Sequence, residues 1–260
     1  MGRIADRAKS WGVKRLWDYM GIRIAVQRRR RFKWPGEESR FDYQKRYVQF
    51  DIRPGDRVLD IGSGGDPFPY ATVLTDRFPG KSPSRFEAFV RDTRPFLVSD
   101  IHALPFCNKG FDFVYCAHVL EVVDNPLRAC AEIMRVGKRG FIETPTAGKD
   151  MLFAWAKNLQ KWHVVAIGSH LCFFEYSERQ LDGVRSPLWR DHIRSKWCNP
   201  WQEVFYNNQD IFNVLFPWEN QFSVFVFRLD GTVQTLNAEV ETCPRLAHLQ
   251  RSESARGLSR

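Results

Sequence analysis

The stretch at residues 57–65 reads RVLDIGSGG. Residues 58–61 within it form an apolar run broken only by Asp60, which is typical of a strand buried in a parallel sheet. The glycines that follow predict a tight turn at the carboxyl end of that strand. We therefore expect a buried strand that leads directly into a glycine loop.

Further apolar runs alternate with turn residues and helical spacing along the next eighty residues. They predict strands at 71–76, 96–100, 111–116 and 140–143, and a helix over 127–136. Near-continuous apolar strands joined by helices indicate an α/β fold, with a mainly parallel sheet covered by helices on both faces.

Three more elements are predicted toward the C-terminus. The spacing favours helices over 151–162 and 202–215, and residues 222–229 predict a strand at the antiparallel edge of the sheet. The tryptophans of this region are expected to form its core: Trp189, Trp197, Trp201 and Trp218.

Composition predicts a globular cytoplasmic protein. Of the 260 residues, 43% are hydrophobic, which suffices for one sizeable core. No apolar run approaches the ~20 residues that cross a bilayer, and the N-terminus lacks the apolar segment of a secretory signal. The six cysteines include no CxxC pair, which favours free thiols in a reducing compartment.

The charge is concentrated at the N-terminus. All of the net charge of +9 lies in residues 1–50, which hold 14 basic and 5 acidic side chains. We therefore divide the chain into a basic, partly helical arm (1–50), a globular domain (51–243) and a flexible tail (244–260). The run of arginines at 28–31 predicts an anionic partner, either a membrane surface or a nucleic acid, and the alternative is a solvated basic face without a partner.

Acids follow three successive strands. Asp60, Asp76 and Asp100 are expected at the carboxyl ends of their strands, where ligands of open α/β sheets bind. Three carboxylates along this edge of the sheet, here called the rim, would suit a cationic, hydroxyl-bearing ligand. Pro67 and Pro69 remove two of the N–H donors that a pyrophosphate would need, which argues against a dinucleotide.

Three stretches together resemble class I S-adenosylmethionine-dependent methyltransferases of the type 11-like group. They are VLDIGSGG at 58–65, DIHALPF at 100–106 and FDFVYCAHVLE at 111–121, and the resemblance covers about residues 56–145. It implies a Rossmann-like methyltransferase fold and S-adenosylmethionine as the methyl donor.

The resemblance also implies which residues bind the donor. The glycine loop would line its methionine part, with Asp60 near the ammonium group, although Asp60 could instead cap the loop. Asp76 would accept hydrogen bonds from the ribose hydroxyls and Asp100 one from the adenine amine. The implied set is Asp60, Gly62, Ser63, Gly64, Asp76, Asp100, Ile101 and Leu104.

The chain departs from the family pattern at two places. The proline segment at 66–69 replaces most of the helix that usually follows the first strand. Val122 stands where the family commonly has a histidine, so any role of that histidine is lost.

Two residues are candidates for a catalytic base. His118 follows the fourth strand, where an acceptor would lie, and Glu143 ends the fifth. A loop histidine bonded within the protein and a carboxylate that braces the backbone are the alternatives. No metal site is expected, because the spacing of His163, His170 and Cys172 matches no common zinc pattern.

Three hypotheses of function remain open. The first is a methyltransferase for a small molecule or for a saccharide or lipid-linked glycan intermediate, with the arm in peripheral contact with an anionic membrane. The second is an RNA methyltransferase that uses the arm. Base-amine methylation is disfavoured, because residues 116–119 read CAHV where such enzymes carry an Asn/Asp-Pro-Pro-aromatic motif. The third is a non-catalytic relative that acts as a partner protein.

Overall fold

The computed structural model describes residue 19 and residues 40–82, 88–153, 159–183, 204–205 and 207–238. Most of the basic arm, the predicted tail and Trp189, Trp197 and Trp201 lie outside these residues. The predicted domain boundaries and the membrane contact of the arm therefore stay predictions. Within the described ranges, no helix is both long and apolar enough to cross a membrane.

The described residues form ten strands and five α-helices. The strands are β1 (Val58–Ile61), β2 (Val73–Asp76), β3 (Phe96–Val98), β4 (Phe111–Ala117), β5 (Gly137–Pro145), β6 (Trp162–Ile167), β7 (His170–Glu175), β8 (Asn213–Glu219), β9 (Ser223–Phe227) and β10 (Val233–Leu236). The helices are α1 (Arg40–Tyr47), α2 (Pro126–Val136), α3 (Ala147–Phe153), α4 (Glu178–Gly183) and α5 (Gln209–Phe212), with a 3₁₀ turn at Leu120–Val122.

Six strands form the central sheet, in the order β3-β2-β1-β4-β5-β8. Strands β1 to β5 are parallel, and β8 is antiparallel to β5. The predicted Rossmann-like sheet with an antiparallel edge strand is confirmed. The carboxyl ends of β1, β2, β4 and β5 meet at one rim, where the predicted site residues lie.

The elements beyond residue 146 differ from their predictions. Residues 213–215, predicted as helix, begin the edge strand β8, because seven residues of β8 pair with β5 and this pairing outweighs the local helical spacing. Trp162, predicted to end a helix, begins β6. The predicted strand at 222–229 forms as β9, but in a second sheet.

That second sheet has the order β10-β9-β7-β6 and was not predicted. Its inward side chains, such as Trp162 and Phe173, join the buried face of α2 and one face of the central sheet in a single hydrophobic cluster. The helix predicted over 127–136 is confirmed as α2, whose first turn is capped by the Asn125 side chain.

The opposite face of the central sheet is covered by α1 and the proline segment. Phe41 of α1 and Phe68 of the segment pack on the sheet with Tyr115 and Phe141. The Phe68 and Tyr115 rings stack with centroids 4.1 Å apart, and Arg94 donates a hydrogen bond to the Phe68 carbonyl. A braced aromatic segment thus replaces the usual crossover helix.

Truncating Phe68 should therefore cost far more stability than truncating its neighbour Tyr70. Phe68 is fully buried, whereas Tyr70 is 44% exposed. We expect Phe68→Ala to lower the free energy of unfolding by about 3–5 kcal/mol through the cavity it leaves, and Tyr70→Ala by about 1 kcal/mol. Urea titration measures both, and equal losses would contradict this account of the segment.

Candidate active site

The glycine loop after β1 bonds to the end of β2. Gly62 and Gly64 adopt positive φ values of 75° and 56°. The N–H groups of Gly62 and Ser63 donate to the Thr75 carbonyl at 2.8 and 3.0 Å, and Gly64 N–H donates to Asp76 Oδ2 at 3.1 Å. Protein acceptors thus take all three of these N–H donors.

Gly62 also allows a close approach between two loops. A Cβ atom at this position would lie 2.4 Å from Cγ2 of Val119, which belongs to the loop after β4. Real Cβ atoms do not come so near, so only glycine fits here. The absence of a side chain brings His118, the neighbour of Val119, beside the glycine loop.

Asp60 lies beneath this loop and is almost completely buried. Its Oδ2 accepts a hydrogen bond of 2.8 Å from Phe68 N–H, which ties the strand to the proline segment. Burial raises the pKa of Asp60 to about 7, although Phe68 N–H and the Arg40 guanidinium lower it. The structure thus contains the capping contact expected as the alternative role, and the contact with a donor ammonium stays a prediction.

Asp76 is buried at the end of β2. Its Oδ1 accepts from Phe78 N–H at 2.7 Å, while its Oδ2 accepts from the loop. The carboxylate therefore organises the loop directly, and its predicted contact with a ribose stays a prediction.

Asp100 lies on the same rim and is partly exposed. Burial raises its pKa, but hydrogen bonds from the His102 backbone and ring outweigh that effect, so the pKa is lowered. Ile101 and Leu104, predicted to pack near an adenine, lie in the hydrophobic core that includes α2. Binding of a ligand by these three residues stays a prediction.

The two predicted catalytic residues are brought together. His118 Nε2 lies 2.9 Å from Glu143 Oε1, and His118 N–H donates to the Glu143 carbonyl at 2.8 Å. His118 has a φ of 57°, which is uncommon for a residue other than glycine and is often found at functional sites. The turn directs the ring from the end of β4 toward the end of β5.

Helix α1 holds Glu143 from the other side. Gln44 Nε2 donates to Glu143 Oε2 at 2.6 Å and to the Tyr115 hydroxyl at 3.0 Å. Burial of Glu143 raises its pKa, but His118 and the Lys149 ammonium lower it to about 2. The carboxylate is thus a fixed, ionised partner for the His118 ring.

Sequence reasoning missed Gln44, although the sequence contains a signal for it. Phe41, Gln44 and Val48 follow the i, i+3, i+7 spacing of one helix face, and all three are buried. A polar residue within an apolar stripe needs a buried partner, which here is Glu143.

A second carboxylate lies beside the ring. Glu121 Oε1 is 3.5 Å from His118 Nδ1. Burial lowers the pKa of nearby Lys149, whereas Glu143 and Glu121 raise it, and its Nζ donates to Asn213 Oδ1 at 2.5 Å. Sequence analysis singled out neither Glu121 nor Lys149.

Asp150 belongs to the same buried polar group. Its carboxylate accepts hydrogen bonds from Gln160 Nε2 at 2.7 Å and from the Tyr176 hydroxyl at 2.9 Å. Burial raises its pKa to about 6, and these two hydrogen bonds oppose the rise. The loop after β4, strand β5, helix α3 and the residues before β6 and after β7 therefore contribute to one buried polar group.

A cleft of about 340 Å³ lies next to this group, between edge strands β6 and β8. Its lining is mainly apolar: Thr146, His163, Val164, Val165, Ala166, Val214 and Leu215. Leu215 pairs in register with Glu143, so the cleft adjoins the strand that carries the Glu143 carboxylate.

The arrangement suits proton transfer. Because Glu143 is ionised and close to Nε2, we assign the ring proton to Nε2 and the free lone pair to Nδ1. A histidine oriented by a buried carboxylate is a common general base.

Comparison with known proteins supports the family predicted from the sequence. Residues 74–142 match the family described as a methyltransferase domain. A demethylmenaquinone methyltransferase from Renibacterium salmoninarum is 36% identical over 92 residues, which cover 34% of this chain and 39% of that relative. The chain thus matches well under half of the relative's length. The prediction of a class I, type 11-like methyltransferase domain is confirmed.

Two solved structures are similar to this chain at low identity. A chain in the complex of the Haloferax volcanii Trm112 methyltransferase activator with a methyltransferase is 15% identical, with a TM-score of 0.41, over 66% of this chain and 86% of that one. The PH0226 protein from Pyrococcus horikoshii is 18% identical, with a TM-score of 0.32, over 55% and 80%.

Substituting Gly62 tests the contact between the two loops. Gly62→Ala adds a clash with Val119 to the strain of a positive φ, whereas Gly55→Ala adds strain alone, since its φ is 94° and its surroundings are open. We expect Gly62→Ala to lose about 1–3 kcal/mol more stability than Gly55→Ala.

The control for that substitution is Val119→Ala, which removes the clashing methyl group. In a double-mutant cycle followed by urea unfolding, Val119→Ala should recover part of the loss caused by Gly62→Ala. Strictly additive losses would show that the two loops do not meet as described.

The pKa of Asp60 predicts a pH-dependent stability. A carboxyl whose pKa is about 7 in the folded state and about 3.9 when unfolded makes the free energy of unfolding fall as pH rises from about 4 to above 7, by up to roughly 4 kcal/mol. Asp60→Asn, which can still accept from Phe68 N–H, should remove this part of the fall. Unfolding midpoints measured from pH 4 to about 8 test this, and parallel curves for both proteins would refute it.

Proposed function

We propose that this chain, which carries a class I methyltransferase domain of the type 11-like family, is an S-adenosylmethionine-dependent methyltransferase. One observation carries the proposal most directly. The approach of Val119 to Gly62 places the His118–Glu143 pair beside the glycine loop. A donor loop and a proton acceptor thus adjoin, as transfer of a methyl group to a hydroxyl or amine requires.

The residues of the rim fit this donor. The loop amides bond within the protein rather than facing a phosphate, and Ser63 Oγ is buried without a partner among the described residues. Gly62, Ser63 and Gly64 would hold the methionine part, and Asp76 and Asp100 the nucleoside. The donor itself supplies a methyl group activated on a sulfonium.

The chain's own residues would align the acceptor and remove its proton. An acceptor hydroxyl that reaches His118 Nδ1 can transfer its proton to the ring. The positive charge that forms there is stabilised by the buried carboxylate of Glu143, whose Oε2 accepts a hydrogen bond from Gln44. Positioning the acceptor is the other large contribution, worth ~7–11 kcal/mol of the barrier at best.

We further propose a small-molecule, saccharide or lipid-linked glycan acceptor. The apolar cleft between β6 and β8 would hold the part of the acceptor that is not methylated. The name of the demethylmenaquinone methyltransferase relative supports a small molecule. Methylation of RNA and binding without catalysis are the other outcomes that the experiment separates.

The assignment of His118 is tested by substitution. With ³H-methyl-labelled donor and fractionated cell extract as the source of acceptor, His118→Ala should lower kcat ~10²–10⁴-fold. Calorimetry should show nearly unchanged donor affinity, because His118 acts on the acceptor. His170→Ala, an exposed histidine on β7, is the matched control and should leave both values unchanged.

The outcomes separate the hypotheses. Label in lipid, saccharide or small-molecule fractions supports the proposal, whereas label in RNA supports the alternative enzyme. Full turnover by His118→Ala would eliminate it as the base, and wild-type protein that does not bind the donor would overturn the proposed function.

A further inference from the structure

Three buried acceptor atoms of this polar group lack a hydrogen bond from any described residue, and one of them, Glu143 Oε1, has His118 Nε2 2.9 Å away. The other two are Glu121 Oε2 and Gln160 Oε1, whose residues are only 4% and 3% exposed and which have no partner among the described residues. Gln160 bonds to Asp150, and Glu121 is close enough to Asp150 to raise its pKa, so both acceptors belong to one group. Because buried polar atoms in folded proteins are nearly always satisfied, these acceptors indicate a ligand that brings donors.

The two side chains belong to the same group as the catalytic pair. Lys161 N–H donates to the Glu121 carbonyl at 2.9 Å, which places residue 160 next to the 3₁₀ turn. Gln160 Nε2 donates a hydrogen bond to Asp150 Oδ1. Flipping the amide to direct Nε2 toward Glu121 would break that hydrogen bond. The other carboxylate oxygen of Glu121, Oε1, lies 3.5 Å from Nδ1 of the His118 ring.

Access to this group runs through His118. The His118 side chain is 28% exposed, whereas those of Glu121 and Glu143 are 6% and 0% exposed. A ligand that enters from solvent therefore meets the His118 ring first and Glu121 behind it.

The charge of the group selects the ligand. Among the described residues, the three carboxyl groups of Glu121, Glu143 and Asp150 outnumber the two cations that act on Glu143, which are the Lys149 ammonium and the Arg40 guanidinium. An anionic phosphate or carboxylate would be repelled here. Within the described residues, no acids, histidines or cysteines are arranged to hold a metal ion. Neutral hydroxyl groups supply the missing donors without adding charge.

We infer that Glu121 and Gln160 form an acceptor subsite for adjacent hydroxyl groups, as in a sugar ring or a catechol. This inference rests on the proposed function. The reacting hydroxyl lies on His118 Nδ1, and its neighbour donates to Glu121 Oε2. As the acceptor O–CH₃ bond forms, the sulfonium C–S bond breaks, the hydroxyl proton passes to His118, and the donor leaves as the neutral thioether. The ring then returns its proton to water.

Periodate cleaves bonds between adjacent hydroxyl-bearing carbons and oxidises catechols, which provides a test without a known acceptor. Extract treated with periodate, with the excess reagent then quenched by ethylene glycol, should lose about nine-tenths or more of the label that the wild-type enzyme transfers, compared with extract that received the already quenched reagent. Extract treated with phosphatase should still accept the label, because the proposed subsite does not bind a phosphate group. Partition into organic solvent then separates lipid-linked saccharides from free sugars and catechols. Full incorporation after periodate would overturn the subsite.

Substitution of Glu121 provides the second readout. Glu121→Gln replaces an acceptor with a donor at the same shape, so kcat/KM for the active fraction should fall about 10–100-fold, mainly through KM. Donor affinity should not change, and Glu219→Gln, an exposed glutamate at the end of β8, is the control. Gln160→Leu, which removes the other acceptor, serves where Glu121→Gln does not fold.

The outcomes distinguish the subsite from the function it rests on. Wild-type kcat/KM in a folded Glu121→Gln and in Gln160→Leu would reject the subsite and leave the methyltransferase intact. An amine as the labelled group in the product would also reject it. Loss of donor binding in the wild-type protein would reject both.

Discussion

The site depends on the close approach of the loops that follow β1 and β4. Gly62 has no side chain, so Val119 can pack against its backbone, and a Cβ atom there would lie 2.4 Å from a Val119 methyl. Gly64 and His118 on the same two loops also have positive φ values. Three residues with unusual backbone conformations thus lie where the proposed donor and acceptor meet, and the surrounding sheet keeps them in place.

Burial gives the His118–Glu143 pair its properties. Glu143 lies under α1, and the helix that seals the aromatic face of the sheet also supplies Gln44 to its carboxylate. Removing an ionised carboxylate from water is costly unless it is paired and hydrogen-bonded. The same residues that offset this cost also fix the orientation of His118, so packing and chemistry depend on one helix.

The sequence predicted those parts of the protein whose signals are local. The strands β1 to β5 and α2 follow from apolar runs and helical spacing, and the order of the strand-end acids located the rim. Strand β8 and the second sheet depend on pairing between distant segments, which local spacing does not encode. For the same reason, His118 and Glu143 could be proposed separately, whereas their contact and the roles of Gln44 and Glu121 required the tertiary structure.

The two carboxylates beside His118 differ in how far their oxygens are satisfied, and this difference separates their roles. Glu143 accepts a hydrogen bond from Gln44 at Oε2, and its Oε1, which has no hydrogen bond of good geometry from a described residue, lies 2.9 Å from His118 Nε2. Glu121 is almost as buried, but its Oε1 lies 3.5 Å from the ring and its Oε2 has no donor among the described residues. An acid satisfied by the protein can orient the ring throughout a reaction. An acid that lacks a donor is stabilised only when a ligand arrives, so it contributes to binding and to the choice of acceptor.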